Sequence, residues 1–406
     1  MTYLKKDQVR FLLLEGIHSA AETDLRARGY SDITRLEHSM VGEELSQALE
    51  NVHYLGIRSR SQITQKVLSN AKKLRAIGCF CIGTNQVDLA AAELQGIPVF
   101  NAPFSNTRSV AELVLAEIVF LMRGIPLKNA AAHRGEWLKT AKQAFEIRGK
   151  RLGIVGYGHI GTQLGVLAEA LGMHVQYYDI ENKLPLGNAQ TCLELGRLLS
   201  TSDVVSLHVP ATLETNNLMD ASKLALMKQG SYLINASRGS VVDIDALADA
   251  LRSGVVAGAA IDVFPSEPKA LTEEFVSPLR EFDNVILTPH VGGSTQEAQE
   301  NIALEVAKKL SRYSYNGSTK SAVNFPQVSL PDTYDRRRIL HIHENVPGVL
   351  ENINKVFAGA DINIAAQYLQ TSPKVGYVVM DLDIDNAEHL LGDLHVPGTI
   401  RVRLIH

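Results

Sequence analysis

Gly156-Tyr157-Gly158-His159-Ile160-Gly161 is the feature that most limits what this chain can become. The glycines follow an apolar, strand-like run, Arg151 to Val155, and open a helical pattern, Ile160 to Leu171. In that setting Gly156 permits a tight turn, Gly158 lets backbone approach a pyrophosphate, and Gly161 allows close helix packing, with helix N-terminal amides facing the anion. A glycine-rich turn without a ligand is the competing reading, and the strand–loop–helix context weighs against it. Asp179 ends the next predicted strand, His174 to Tyr178. A carboxylate there accepts hydrogen bonds from both ribose hydroxyls of an adenosine and repels a 2′-phosphate, which predicts NAD over NADP. Capping of the following turn is its bland alternative.

Further predicted strands at Val204 to His208, Tyr232 to Asn235, Val256 to Ile261 and Val285 to Leu287 extend this region into a doubly wound sheet. Before it, strand-like runs (Val9 to Leu14, His53 to Ile57, Ile77 to Ile82, Ile97 to Phe100) alternate with helical patterns such as Glu43 to Glu50, the signature of a second parallel α/β unit. A hinge is expected near Pro103, followed by a largely apolar helix, Ser109 to Met122. Past Pro289 a helix, Thr295 to Leu310, is expected to return over the first unit, whose strands otherwise lack cover. The last 70 or so residues read as strand, helix, strand, strand, helix, strand, the split βαβ order of a small module.

With 406 residues, 45% hydrophobic and 21% charged, the chain matches a globular protein of two or three domains. A net charge of −4 supplies no field for nucleic acid. Neither a signal-peptide core nor an uninterrupted membrane helix is visible, so a cytoplasmic location without membrane association is expected. Three cysteines, Cys79, Cys81 and Cys192, cannot all pair and lack the partners of a zinc site. They read as reduced thiols, with Cys79 and Cys81 on one face of a strand.

A hydride-transfer enzyme needs a group that exchanges the hydroxyl proton, and His290 follows the strand Val285 to Leu287, at the end where open sheets gather ligands. Glu267 occupies a loop after another strand, and a carboxylate beside an imidazole favours the protonated ring and fixes its tautomer. Arg238, in Asn235-Ala236-Ser237-Arg238-Gly239, also follows a strand and suits a bidentate grip on a substrate carboxylate. Singly, each is equally at home in a surface ion pair.

Together, the glycine motif, Asn235 to Gly239, Asp262 to Pro268 and Thr288-Pro289-His290 with Gly292-Gly293 resemble the D-2-hydroxy acid dehydrogenase family, in its order and over the first 325 residues. The resemblance implies that Arg238, Glu267 and His290 form the catalytic set. It implies that NAD touches Gly156, Gly158, His159, Ile160, Gly161, Asp179, Ala236, Ser237, Arg238, Asp262, His290, Gly292 and Gly293, with Asn106 to Ser109 bordering the cleft. It also implies an α/β architecture in which a Rossmann-like cofactor domain (104–290) is inserted in a flavodoxin-like substrate domain (1–103 plus 291–326). Asn85 to Asp88 and Asn101 to Ser109 look like the branch whose substrate is a phosphorylated 2-hydroxy acid. Substrate-binding candidates are therefore Asn106 and, for the phosphate, Arg58 and Arg60, with Lys139; a solvated arginine pair is the alternative.

The final module (336–406) resembles the ACT regulatory domains, whose dimers bind amino acids between chains. His343, Asn345 and Asn363 occupy matching positions, and L-serine is the effector that the resemblance implies. A helix cap at Asn345, edge-strand histidines or a metal site are alternatives, and no metal is expected. Residues 332–338 lack the adjacent glycines of a related bacterial pattern, so weaker coupling of effector binding to catalysis is expected. Trp137 suits either a subunit contact or a core, and family and module together imply a homotetramer. Two readings from other classes stand beside the enzyme: an NAD sensor that keeps the cofactor site alone, and an amino-acid-binding regulator with the larger domains as scaffold. Within the enzyme class, glyoxylate, hydroxypyruvate or 2-oxoglutarate is the substrate alternative.

Overall fold

A computed structural model describes residues 4–268, 272–332 and 336–405. The chain divides into two compact units, Met1–Ser105 with Gln299–His406, and Asn106–Ala298.

In the first unit a five-stranded parallel sheet runs β2-β1-β3-β4-β5, built from β1 (Phe11–Leu13), β2 (Ile33–Arg35), β3 (Tyr54–Ile57), β4 (Ala76–Cys79) and β5 (Val99–Asn101). That is the flavodoxin-like order. Apolar residues fill β1, β3 and β4 without alternation because both faces are covered. One cover is the Gln296–Asn316 helix, whose Ile302, Ala303, Val306, Ala307 and Leu310 pack in one core with Phe11, Tyr54 and Phe100. The expected return of the chain is thus present, one and a half turns longer than the apolar periodicity indicated.

The second unit carries a seven-stranded parallel sheet, β12-β11-β10-β9-β6-β7-β8. Its strands are β6 (Arg151–Val155), β7 (His174–Tyr178), β8 (Gln190–Thr191), β9 (Val204–Leu207), β10 (Ser231–Asn235), β11 (Val256–Ile261) and β12 (Val285–Leu287). Strand order reverses beside β6, and the glycine motif leaves that strand, so the loop opens at the switch point where such sheets bind ligands. The Thr107–Met122 helix buries Val110, Val114, Ile118 and Leu121 against this sheet.

The C-terminal module is a four-stranded antiparallel sheet, β14-β15-β13-β16, of β13 (Arg337–Glu344), β14 (Ile364–Thr371), β15 (Val375–Leu382) and β16 (Thr399–Ile405). One face packs Ile339, Val378 and Met380 under the Val349–Gly359 helix. The other sends Leu340, Ile342, Tyr377 and Val379 into the core that holds Phe11 and Tyr313. Buried Arg338 clamps the junction: its Nε and Nη2 donate to the two Asp381 oxygens at 2.6 and 2.8 Å, and Nη1 donates to the carbonyls of Asn316 and Pro331 at 3.0 Å each. Of the glycine-free linker, 333–335 lie outside the described residues.

Some expectations need correction. β4 ends at Cys79, so Cys81 lies beyond the strand and is partly exposed, although it packs against the same core as Cys79. His341 and His343 stand on β13, an interior strand and not an edge. Trp137 is 86% exposed, which removes the core reading. Among the described residues no helix is long and apolar enough to cross a membrane, and no group of three His, Cys, Asp or Glu side chains is placed to hold a metal ion.

Candidate active site

The glycine loop has the shape a dinucleotide needs. Gly156 has φ +91°, and a Cβ there would lie 2.4 Å from the His208 carbonyl oxygen. At Gly161 a Cβ would lie 2.3 Å from the Gly156 carbonyl. Both positions are closed by backbone, so both glycines are structural requirements. Gly158, at the N-terminal boundary of the His159–Ala170 helix, differs: a Cβ would meet nothing within 4 Å. The space beside it is where a pyrophosphate would reach the helix amides of His159 and Ile160. Asp179 sits just past β7, its Oδ2 accepting the Tyr157 amide at 2.8 Å and its Oδ1 the Glu181 amide at 2.9 Å. The carboxylate therefore fixes the loop and caps the turn, and each oxygen keeps a further lone pair for a ribose hydroxyl. These residues fit NAD.

Arg238, Glu267 and His290, separated by up to 52 residues in sequence, come from the ends of β10, β11 and β12 in the second unit. His290 Nδ1 donates to Glu267 at 3.0 and 3.1 Å, while Glu267 Oε1 also accepts the Phe264 amide at 3.1 Å. Hydrogen bonding to Glu267 raises the His290 pKa against the opposing effect of burial, and the charge of Arg238 holds back part of that rise. On Glu267, burial pushes upward, but the bond from His290 and the charges of His290 and Arg238 win, so its pKa is lowered. The three groups thus act on one another as a unit. With Nδ1 committed to Glu267, Nε2 is the nitrogen left to exchange a proton.

His290 has φ +55°, a left-handed backbone that a non-glycine residue adopts only when its surroundings impose it. Asp262 imposes it. Its carbonyl accepts the His290 amide at 2.8 Å; its Oδ1 accepts the Val291 amide at 2.8 Å and the Thr288 hydroxyl at 2.6 Å; its Oδ2 accepts the Gly292 amide at 2.9 Å. The expected cofactor contact at Asp262 is accordingly also the clasp that sets the histidine. Gly293 lies against Asn106, whose Nδ2 would be 2.5 Å from a Cβ there, and the Ser109 hydroxyl is 2.8 Å from that of Thr295. Ser237, buried, donates its hydroxyl to Asn235 Oδ1 at 2.8 Å, which shapes the Ala236–Arg238 turn.

Sequence reasoning missed the Thr288 hydroxyl, and it missed Glu117, a carboxyl 2% exposed in the Thr107–Met122 helix. Burial, with the charge of Asp262, pushes Glu117 up to about 8, so at neutral pH it is a neutral acid beside the site's buried carboxylate. Its only sequence signal was a charge interrupting an apolar helix.

Arg58 and Arg60 lie past β3 in the first unit, half-buried and exposed, and among the described residues neither forms an ion pair. Glu15, unnoticed in the sequence, holds their loop by accepting the amides of Arg60 and Ser61 at 2.9 and 2.8 Å. Lys139 is exposed and belongs to the second unit.

The ACT candidates are spread along the sheet. His343 is buried at the Glu344 end of β13, and Asn345 follows, its Nδ2 donating to the Ser372 carbonyl at 2.9 Å. Asn363 precedes β14 at the opposite end, where Ile364 pairs with Leu382 and Leu382 with Arg337, and its Nδ2 donates to Asp383 at 2.9 Å. Eight residues of strand place the two asparagines about 25 Å apart within one chain.

Comparison with known proteins gives the family. Residues 115–292 match the D-isomer specific 2-hydroxyacid dehydrogenase NAD-binding domain, and 339–395 match an AHAS small subunit-like ACT domain. The chain is 62% identical over 406 residues to the D-3-phosphoglycerate dehydrogenase of Escherichia coli strain K12, covering 99% of both chains. It is 59% identical over 404 residues to the enzyme of that name from Haemophilus influenzae, covering 99% of this chain and 98% of that one. The chain belongs to the D-2-hydroxyacid dehydrogenase family, in its D-3-phosphoglycerate dehydrogenase group. Like other members of that family it is an NAD-dependent oxidoreductase. A crystal structure of D-lactate dehydrogenase from Aquifex aeolicus, complexed with NAD and lactic acid, superposes with TM-score 0.68 at 27% identity, covering 78% of this chain and all of that one.

Proposed function

We propose that this dehydrogenase oxidises D-3-phosphoglycerate to 3-phosphohydroxypyruvate, the first committed step of L-serine biosynthesis, as a cytoplasmic homotetramer that L-serine inhibits. The observation that carries the chemistry is the His290–Glu267 hydrogen bond beside Arg238, at the strand ends of a sheet whose glycine loop fits NAD. NAD, held at the glycine loop and Asp179, would supply the hydride acceptor. Arg238 orients the substrate carboxylate with its planar fork, Nε2 of His290 takes the hydroxyl proton, and Glu267 stabilises the imidazolium that results. Gly158, Asp179, Ala236, Ser237 and the Gly292-Gly293 turn line the dinucleotide, and Arg58, Arg60 and Lys139 answer the substrate phosphate.

His290→Gln should lower turnover by about a hundred- to ten-thousand-fold with NADH affinity near wild type. Parallel loss of both would make the histidine structural. Arg58→Ala should raise the KM for phosphoglycerate far more than that for an unphosphorylated 2-hydroxy acid; equal effects would remove the arginines from the phosphate site. Assays with phosphohydroxypyruvate, 2-oxoglutarate and glyoxylate, with and without L-serine, rank the substrates and test control together.

For serine, support comes from the separation of Asn345 and Asn363. One small zwitterion cannot bridge opposite ends of a sheet, so a site using both must combine the His343–Asn345 end of one chain with Asn363 of a second.

A further inference from the structure

The Gln296–Asn316 helix turns one flank into the core of the first unit. On another flank Glu305, Lys308, Lys309 and Arg312 recur three and four residues apart, so their side chains stack along one line. The returning segment brings Ser318, Lys320 and Ser321 alongside, and together these residues line a cavity of about 250 Å³. Four cations face a single carboxylate there.

That carboxylate is already engaged. Glu305 Oε1 accepts Lys309 Nζ at 2.6 Å, Glu305 Oε2 accepts the Ser105 hydroxyl, and Lys309 donates as well to the Asn101 carbonyl at 2.7 Å. Arg312 spends Nη2 on the Leu330 carbonyl at 3.3 Å, while its buried Nε has no acceptor. Lys308 and Lys320 are exposed, and among the described residues neither has an ion-pair partner. A solvated basic face is the plain alternative. Against it, some of the chain's other cations are paired, as in Arg26–Glu22, Arg28–Asp24, Lys228–Asp203 and Arg252–Glu281, whereas four cations share one carboxylate here, and the net charge of the chain is −4. An excess of cations over carboxylates lining a concavity is the electrostatic complement of a small polyanion.

We propose that this groove is a second anion site, outside the dehydrogenase machinery, for a small phosphate-bearing polyanion. The volume suits two linked anionic groups, such as a pyrophosphate or a phosphorylated carboxylic acid. Lysines supply mobile point charges and Arg312 a fixed one.

The test is isothermal titration of inorganic pyrophosphate into the NADH-saturated full-length protein, in phosphate-free buffer at fixed ionic strength. Three forms are compared: wild type, Lys308→Gln with Lys320→Gln, and Arg58→Ala with Arg60→Ala. The proposal expects one site per chain that survives in the arginine variant and weakens by at least about tenfold in the lysine variant, whose melting temperature and NADH affinity stay at wild type. It is overturned if wild type takes up no pyrophosphate at millimolar concentration, if the lysine variant titrates like wild type, or if the arginine variant loses all binding. Binding lost in the arginine variant alone would remove this groove and leave the proposed substrate site untouched, so the two readings fail separately.

Discussion

The three glycines of the motif do different work, and substitution separates them. Gly156 and Gly161 face backbone at 2.4 and 2.3 Å from a would-be Cβ, so alanine at either should destabilise the fold, seen as a lowered melting temperature. Gly158 faces open space, so Gly158→Val should leave the melting temperature within about 2 °C of wild type while weakening NADH binding at least about tenfold by fluorescence titration. A large loss of stability would show that the position is structural. At the acid-base pair the sign follows from the hydrogen bond that raises His290. Reduction of the keto acid needs the protonated imidazole, so its kcat/KM should fall as pH rises through the His290 pKa. Glu267→Gln removes the principal cause of the rise, and the alkaline limb should move to lower pH; an unmoved limb would mean that another group sets the profile. That Arg238, Glu267 and His290 come together was expected from the family resemblance, since a polar residue past an apolar strand suits a surface ion pair equally well. The Asp262 clasp was half-legible, since its contacts run to backbone amides that no residue pattern marks. Glu117 was not, because nothing local tells a buried acid from an exposed one.

Elements were read most faithfully in the second unit. β6, β7, β11 and β12 have the bounds that their residues indicate, whereas the runs Val9 to Leu14 and Ile77 to Ile82 hold the shorter strands Phe11–Leu13 and Ala76–Cys79. The short helices Ala20–Ala27, Gln65–Asn70 and Leu89–Leu94 escaped, since two turns hold too few residues for periodicity to emerge. For the last two the signal is a cap: Thr64 accepts the Val67 amide and Asp88 the Ala91 amide. The module's sheet posed the opposite difficulty. β13 and β15 are apolar on both faces, as a parallel sheet would be, because a second core replaces solvent on one side. Arg338 is a charged exception in that setting, beside the buried His341 and His343, 0% exposed and paired with Asp381 at 2%. Removing one partner strands a buried charge, so Asp381→Ala should cost about 3–5 kcal/mol in chemical denaturation. Replacing both, as in Arg338→Met with Asp381→Leu, should recover most of that loss. If the double variant is no better than the single, the carbonyl bonds to Asn316 and Pro331 are what hold the junction.

At the scale of the whole molecule, sequence order indicated an inserted parallel unit and a terminal split βαβ module, and both sheets have the strand orders such units require. What order cannot indicate is whether residues that one ligand needs lie in one chain. The module answers through its register, with Asn345 at one end of the sheet and Asn363 at the other. If serine bridges two modules related by a two-fold axis, each site takes one asparagine from each chain. Asn345→Ala and Asn363→Ala homodimers of the module then have no intact site, because every site carries one substitution. A mixed dimer has one site with both substitutions and one with neither. Random reassembly of equal amounts should therefore restore about a quarter of wild-type serine sites by equilibrium dialysis, at wild-type affinity. A site contained within one chain predicts no recovery at any mixing ratio, and that result would return the two asparagines to separate, purely structural roles as the donors to Ser372 and Asp383.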